Sequence, residues 1–376
     1  MSGAGETDAA AKLWRRLRSL PGIGELPYPW PVAAAVRLGE HASLRRFYRL
    51  RAGAGMTSRS EGARAPGRSN AEVVAAPDPP SPAPAEAAVS LVLVVYEDDD
   101  AEAVARYERV AAWFAAAGVR VPEVIGSCSR GLLVEDGGDR LLANEPAGEG
   151  LAPCYRDAAR VILALQTHGR RQPPPNPGWA LDAKRLRDEL GFFERHTMRG
   201  WLGAPPSRQR EAAFDRLTEA VAALPAVVCH RDYHSRNLLV TGSGLMVLDF
   251  QDAMSGPWFY DLASLLHDDY RDVPSPCSAA ALETFWEGGA LPIEVSPMAE
   301  VPAEPALLPP GPRQALALTA AQRSLKALGT FGYQVGVASR SEYAAYAGRT
   351  WRYARRALAQ LGWDDLTAEL AALDRL

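Results

Sequence analysis

Apolar and polar positions change period several times along the 376 residues of this chain. Two short alternating runs within Val36–Leu50, joined by the polar turn Gly39-Glu40-His41-Ala42-Ser43, predict a pair of strands, and the β-branched run Val89–Tyr96 predicts a third. Val104, Tyr107, Ala111 and Phe114 then recur at helical spacing until Gly118 stops the pattern. Val121–Ile125 and Gly131–Val134 return to strand character, so residues 30–140 read strand-strand-strand-helix-strand-strand. Amphipathic helices follow at Asp157–His168, Asp182–Arg195 and Ser207–Leu224, the last with Phe214, Leu217, Val221 and Leu224 on one face. A compact β segment comes next: Ala226–Cys229, Leu238–Val240, a Thr-Gly-Ser-Gly turn and Leu245–Leu248. Three more helices are expected near Tyr260–His267, Arg313–Val335 and Ser341–Leu361.

Two stretches interrupt this pattern. Arg51–Ala88 is rich in Ala, Gly, Pro and Ser with few large apolar residues, and Leu291–Pro312 carries seven prolines. Neither can bury enough apolar surface to offset its ordering entropy, and both are expected to be flexible insertions. The expected organisation is a helical extension over 1–29, a nucleotide-binding part over 30–140 with 51–88 inserted, and a catalytic and substrate-binding part over 141–376 with 291–312 inserted. The fold class is α+β: a small β-rich N-terminal lobe and a larger, mostly helical C-terminal lobe.

A net charge of −4, from 41 basic against 45 acidic residues, lacks the basic excess of a nucleic-acid binder. No apolar run reaches the length of a membrane span, and the N-terminal residues lack the pattern of a secretory signal. Cys128, Cys154, Cys229 and Cys277 are widely spaced with no C-x-x-C, which fits a reducing compartment. A cytoplasmic monomer is expected. Only Lys12, Lys184 and Lys326 are lysines; the remaining basic residues are arginines.

The chemistry is concentrated in His230-Arg231-Asp232-Tyr233-His234-Ser235-Arg236-Asn237, with Asp249-Phe250-Gln251 following twelve residues after Asn237. This is the H-R-D-x-x-x-x-N order of phosphoryl-transfer sites, followed by an Asp at a strand end. Asp232 is the candidate base that accepts the proton of an attacking hydroxyl. Asn237 and Asp249 offer hard oxygen ligands of the kind that magnesium takes. The bland alternative, a charged hairpin with solvated carboxylates, does not account for the agreement of residue type, order and flanking strands. His230 reads as a hydrogen-bonded brace of the loop. His230 and His234 lack the third ligand that a zinc site would need.

The run from His230 through Leu266 resembles the aminoglycoside phosphotransferase and choline-kinase-like superfamily, whose fold resembles that of protein kinases. Within it the chain is most similar to the anomeric N-acetylmuramate/N-acetylglucosamine kinases of cell-wall sugar recycling. That likeness rests on His41–Tyr48, on Leu132–Asp139, on H-R-D-Y-H-S-R-N with D-F-Q-D-A (His230–Ala253), and on Q-R-S-L-K-A-L-G-T-F (Gln322–Phe331). It implies an ATP- and magnesium-dependent transfer to a hydroxyl of a small amino sugar, the anomeric one. It further implies Asp232 as base, Asn237 and Asp249 as metal ligands, and Ser43, Arg45 and Arg46 as a turn over the phosphates. Glu135 and Asp136 would lie on the interlobe linker whose backbone meets adenine, and Asp261, in G-P-W-F-Y-D-L, would brace the catalytic loop. The acceptor would lie between this loop and the helical lobe, where His234, Gln251, Asp252, Arg185, Asp182 and Glu189 are candidates.

One departure stands out. Strand Leu91–Tyr96 carries no lysine to hold the α- and β-phosphates, and His41 replaces an acidic residue of the family turn. Arg45 and Arg46 are the alternative cation source. Two other functions stay open: an aminoglycoside or other small-molecule hydroxyl kinase, and a nucleotide-binding pseudokinase that acts as a scaffold.

Overall fold

The computed structural model describes residues 12, 14–26, 32–38, 45–52, 90–96, 98–148, 150–288 and 310–376. The two Pro-rich stretches lie almost wholly outside these residues. At their edges, Arg51 and Ala52 finish a strand, and Pro310 already opens a helix. The chain divides into two compact units: Met1–Ala105 with Glu123–Asp136, and Arg106–Pro122 with Gly137–Leu376.

In the first unit, β1 (Val32–Leu38), β2 (Arg46–Ala52), β3 (Ser90–Val95), β4 (Val124–Cys128) and β5 (Gly131–Glu135) form one sheet in the order β1-β2-β3-β5-β4. Every neighbouring pair is antiparallel. The central strand β3 reads Ser-Leu-Val-Leu-Val-Val because both its faces are covered: Leu91, Leu93 and Val95 are buried, and so is Val94 between them. Strand β1 begins four residues earlier than its sequence signal, which Ala33–Ala35 dilute. The residues expected to be an N-terminal extension join the core of this unit. Trp14 and Leu17, on a helical turn over 14–18, pack with Ile23 and Leu26 against Tyr48, Leu50, Leu93 and Leu133. Gly131 must lack a side chain, since a Cβ there would lie 2.5 Å from the Val94 carbonyl oxygen.

Helix α1 (Ala101–Ala116) follows β3, and its later part, from Arg106, belongs to the second unit. The remaining elements of that unit are α2 (Leu151–Gly169), α3 (Ala183–Phe193), α4 (Arg208–Ala222), a β6–β9 pair (Ala226–Cys229 with Met254–Pro257), a β7–β8 hairpin (Leu238–Thr241 with Gly244–Val247), α5 (Tyr260–Leu266), α6 (Ser275–Glu287), α7 (Pro310–Gly336), α8 (Ala344–Leu361) and α9 (Asp364–Glu369). Helix α3 runs on into a π-helical stretch, Glu194–Trp201. The sequence reading lacked β9, α6 and α9. The inward positions of α6 are Cys277, Ala280, Ala281 and Phe285, too small a set to show as an apolar stripe. Met254–Pro257 becomes a strand only because β6 offers it a partner.

Helix α7 is the spine of this unit and packs against α3, the π-helical stretch, α5 and α8. It comes into backbone contact with the α3 side at two glycines. A Cβ on Gly329 would lie 2.8 Å from Phe193 Cα, and one on Gly332 would lie 2.8 Å from the His196 carbonyl oxygen.

Candidate active site

Strand β6 delivers the chain into His230–Asn237, and a 3-10 turn at Ser235–Asn237 returns it into β7. A tight polar loop of this kind cannot satisfy its own backbone, and two buried carboxylates do so instead. Asp261, on α5, accepts from His230 N at 2.7 Å and from Arg231 N at 2.9 Å. Asp268 accepts from Ser235 N at 2.7 Å and from Tyr270 N at 2.8 Å. Burial pushes both carboxyls above their ordinary range, against the lowering effect of these N–H donors. The His230 ring bridges to the end of β8 through Nε2 and the Leu248 carbonyl oxygen, 2.9 Å apart.

Two non-glycine residues here have left-handed backbones: Arg231 at φ 82° and Asp249 at φ 57°. Such strain is held only where the surroundings over-determine it, and it collects at functional sites. At Arg231 the Asp261 carboxylate supplies the constraint. The hairpin register supplies part of it at Asp249: Leu238 pairs with Val247, Leu248 N donates to Asn237 O at 2.9 Å, and Asp249 emerges one residue beyond Asn237's level.

Asp232, Asn237 and Asp249 therefore lie on adjoining segments of one unit. Asn237 Nδ2 donates to the Asp232 carbonyl oxygen at 2.8 Å, which leaves Oδ1 of the amide without a hydrogen bond among the described residues. Asp249 Oδ1 accepts from Gln251 Nε2 at 3.0 Å. The Asp232 side chain is 35% exposed, and its Oδ1 accepts from Lys326 Nζ at 2.8 Å. Burial alone would raise the Asp232 carboxyl, but Lys326 and Arg231 outweigh it and hold it well below the usual carboxylate range.

The other sequence candidates fall into different settings. Gln251 is buried and bridges Asp249 and Asp252, its Nε2 lying 3.3 Å from Asp252 Oδ2. Arg185 stacks on Trp179 at 5.7 Å and donates to Met254 Sδ at 3.0 Å. Asp252, 40% exposed, faces Arg106 at 4.0 Å. The His234 ring lies 4.8 Å from that of Tyr270, and burial holds it down to about 3, so it is neutral at physiological pH. Asp182 caps α3 by accepting from Arg185 N. In the first unit, the Asp136 carboxylate is engaged by Arg49 Nη2 at 2.9 Å and Ser90 Oγ at 2.7 Å, so its side chain is committed within the sheet and only its backbone remains for a ligand. Glu135 Oε2 accepts from Glu123 N at 3.4 Å. Arg45 lies over the Phe47 ring at 5.8 Å and Arg46 opens β2; Ser43 lies outside the described residues.

Sequence reasoning gave no role to Lys326 or to the Asp268-Asp269 pair. Asp269 Oδ2 accepts from Arg323 at 2.7 Å, and its Oδ1 accepts from Thr350 at 2.8 Å, tying α7 and α8 to the segment after α5. The signal was available: Gln322, Arg323 and Lys326 share one face of α7 at i, i+1 and i+4.

The chain is similar to known proteins over much of its length. The sequence pattern of the phosphotransferase enzyme family matches residues 83–305. The N-acetylmuramate/N-acetylglucosamine kinase of Pseudomonas aeruginosa is 29% identical over 263 residues, covering 68% of this chain and 73% of that protein. The kinase of the same name from Caulobacter vibrioides is 32% identical over 209 residues, 49% of this chain and 55% of that one. Among solved structures, a choline/ethanolamine kinase family protein from Mesorhizobium loti superposes with a TM-score of 0.54 at 16% identity, over 96% of this chain and 98% of that one. An amicoumacin kinase in complex with AMP-PNP, Ca2+ and its ligand gives 0.56 at 12% identity, over 94% and 96%. The fold is thus the two-lobed, protein-kinase-like one, and the chain belongs to the phosphotransferase enzyme family.

Proposed function

We propose that the chain transfers the γ-phosphoryl group of ATP, with magnesium, to the anomeric hydroxyl of N-acetylmuramate or N-acetylglucosamine. The observation that carries phosphotransfer is the set of ionised Asp232, Asn237 with its amide oxygen open, and Asp249 on adjoining segments of one unit. The choice of an amino sugar rests on the names of the relatives in Pseudomonas and Caulobacter and on the D-F-Q-D-A and Q-R-S-L-K runs.

The residues present fit a hard divalent ion. Among the described residues no three His, Cys, Asp or Glu gather as a ligand set, so Asn237 Oδ1 and the Asp249 carboxylate would hold it together with phosphate oxygens and water. When bound, magnesium neutralises charge on the phosphates. Asp232 accepts a hydrogen bond from the acceptor hydroxyl, orients it, and takes its proton as the hydroxyl oxygen bonds the γ-phosphorus and the bond from that phosphorus to the β,γ-bridging oxygen breaks, releasing ADP. Against burial, Lys326 and Arg231 favour the ionised carboxylate, the form that can accept from the hydroxyl. His234, Gln251, Asp252 and Arg185 are the proposed surroundings of the acceptor, with Gln251 acting through the two carboxylates that it joins. Arg45, Arg46, Ser43 and the backbone at Glu135 and Asp136 are the proposed nucleotide contacts.

No helix of the described residues is long and apolar enough to cross a membrane. Against the pseudokinase reading, which the missing strand lysine favours, stand Asp232, Asn237 and Asp249 on adjoining segments of one unit. The test is the purified full chain with magnesium-ATP and, separately, N-acetylmuramate, N-acetylglucosamine, kanamycin and choline, followed by phosphorus NMR. A sugar 1-phosphate from the acetylated amino sugars is expected. Phosphorylated kanamycin or choline with untouched amino sugar would overturn the acceptor, and no product from any of them would restore the scaffold.

A further inference from the structure

We infer that Lys326 is the positioning residue of the catalytic base: it pins one oxygen of Asp232 and so presents the other to the acceptor. This rests on the reading of Asp232 as base. The observation is an ion pair of 2.8 Å between Lys326 Nζ and Asp232 Oδ1, with the lysine side chain 19% exposed. Asp232 Oδ2 has no hydrogen bond among the described residues.

Three facts separate this contact from an ordinary surface pair. First, the lysine is held from behind. One turn earlier on α7, Gln322 Nε2 donates to Glu189 Oε2 at 2.9 Å, and Arg323 Nη1 donates to Asp269 Oδ2 at 2.7 Å in a pair only 3% exposed on each side. Glu189 in turn meets Arg231 Nη2 at 3.3 Å, which joins the same face of α7 to the residue before the base. The helix is therefore indexed against the catalytic loop, and the ammonium arrives at a set place. For contrast, Lys184 makes a 2.7 Å pair with Asp188 on the open surface, 83% and 65% exposed.

Second, the base is only partly enclosed, and a single carboxylate bond to the loop would leave it free to rotate. A fixed donor on Oδ1 removes that freedom before the acceptor binds, which is the entropic part of positioning.

Third, the residue type is informative. This chain uses arginine for all but three of its 41 basic residues, yet the cation on the base is a lysine. A guanidinium is a planar fork that grips both oxygens of a carboxylate; an ammonium is a point donor that can hold one and leave its neighbour open. At a base that must offer an oxygen to a hydroxyl, the fork would occupy the oxygen that the reaction needs. Lysine does here what arginine would prevent.

The experiment has two arms. In the first, the full chain is labelled with 15N-lysine and the three ammonium signals are followed in wild type and in Asp232→Asn. One signal is expected to move strongly while the other two stay, and that signal is expected to be absent from Lys326→Ala. Three unmoved signals would overturn the ion pair whether or not any acceptor has been found. The second arm is kinetic. Lys326→Ala is expected to lose kcat by about 10²-fold, as when one preorganised charge is removed from a phosphoryl-transfer site, with the KM for ATP unchanged. Added ethylammonium should restore kcat with saturation. Lys326→Arg should recover little of that loss and should raise the KM of the sugar. Wild-type kcat in the Ala variant, or full activity in the Arg variant, would overturn the inference. Absence of turnover in the wild type itself would instead count against the kinase reading and leave the first arm to decide.

Discussion

Asn237 Nδ2 reaches back five residues to donate to the carbonyl oxygen of Asp232 at 2.8 Å. This bond closes the catalytic loop on itself and makes the orientation of the amide a consequence of the loop. With Nδ2 committed to the Asp232 carbonyl, Oδ1 makes no hydrogen bond among the described residues and is the atom proposed to meet the metal. The hydrogen bond from Asn237 Nδ2, together with the Asp261 and Asp268 carboxylates, fixes the spacing between Asp232 and Asn237.

Asp232→Asn should fold as the wild type and bind ATP, since Asn keeps the shape. It loses the negative acceptor, and kcat should fall on the order of 10²-fold or more. Turnover within a few-fold of wild type at saturating sugar would remove Asp232 from the mechanism.

Asp249→Ala should abolish the tightening of ATP binding by magnesium. On the proposed reading Asp249 would hold the magnesium that neutralises charge on the phosphates, and this variant lacks that carboxylate. Calorimetric titration with and without magnesium reads this directly, and an undiminished magnesium effect would assign the ion to other residues.

Arg45→Ala or Arg46→Ala should raise the KM for ATP more than that for the sugar. A charge-assisted contact to phosphate is worth about 1.5–3 kcal/mol, so roughly a 10- to 100-fold change is expected from whichever arginine serves. Neighbouring strand residues alternate sides, so the other should be near neutral. Unchanged ATP kinetics in both single variants and the double variant would show that the phosphates are held elsewhere.

Asp261→Ala is a stability variant. It strands the N–H groups of His230 and Arg231, and the residue is 1% exposed. Two unsatisfied buried donors should cost about 2–4 kcal/mol in urea denaturation. A cost below 1 kcal/mol would mean that water takes over the carboxylate's work.

Acid should destabilise the fold through its buried imidazoles. Burial holds His267 down to about 4, from an ordinary 6.5, and His234 to about 3. Below 6.5 the unfolded chain takes up protons that the folded chain refuses, so stability falls as pH drops from about 6.5 toward 4 and is unaffected above that window. Melting temperatures recorded from pH 7.5 to 5 should therefore decline less steeply for His267→Gln than for wild type. Parallel curves would locate the acid sensitivity elsewhere.

Much of this site is visible in the sequence because phosphoryl transfer imposes a local order. Asp232, Asn237 and Asp249 are tied by one loop and one hairpin, and short-range geometry is written in short-range spacing. The strands of the sheet show for the same reason, through β-branched runs such as Ser90–Val95. What escaped were contacts whose two ends lie far apart in the chain. Lys326 stands 94 positions from Asp232, and nothing in its own neighbourhood marks it beyond the shared face with Gln322 and Arg323. The strand Met254–Pro257 carries no strand propensity and is made by its partner. Glu189 looked available to an acceptor, and the sequence could not show that Arg231 and Gln322 had already claimed its carboxylate.

The glycines of α7 carry a consequence of their own. At Gly329 and Gly332 the helix rests on bare backbone of the α3 side, within 3 Å of where any side chain would begin. Lys326 sits three residues from the first of these. Close-packed helices do not compress, so a methyl group at either glycine must shift the whole rod along or away from its bed. A shift of 1 Å at the ammonium is enough to misalign a base. The helix is thus a gear shaft: wear at a bearing that never meets substrate would show up as slippage at the teeth, and activity could be tuned or lost from a place that chemistry alone would never nominate.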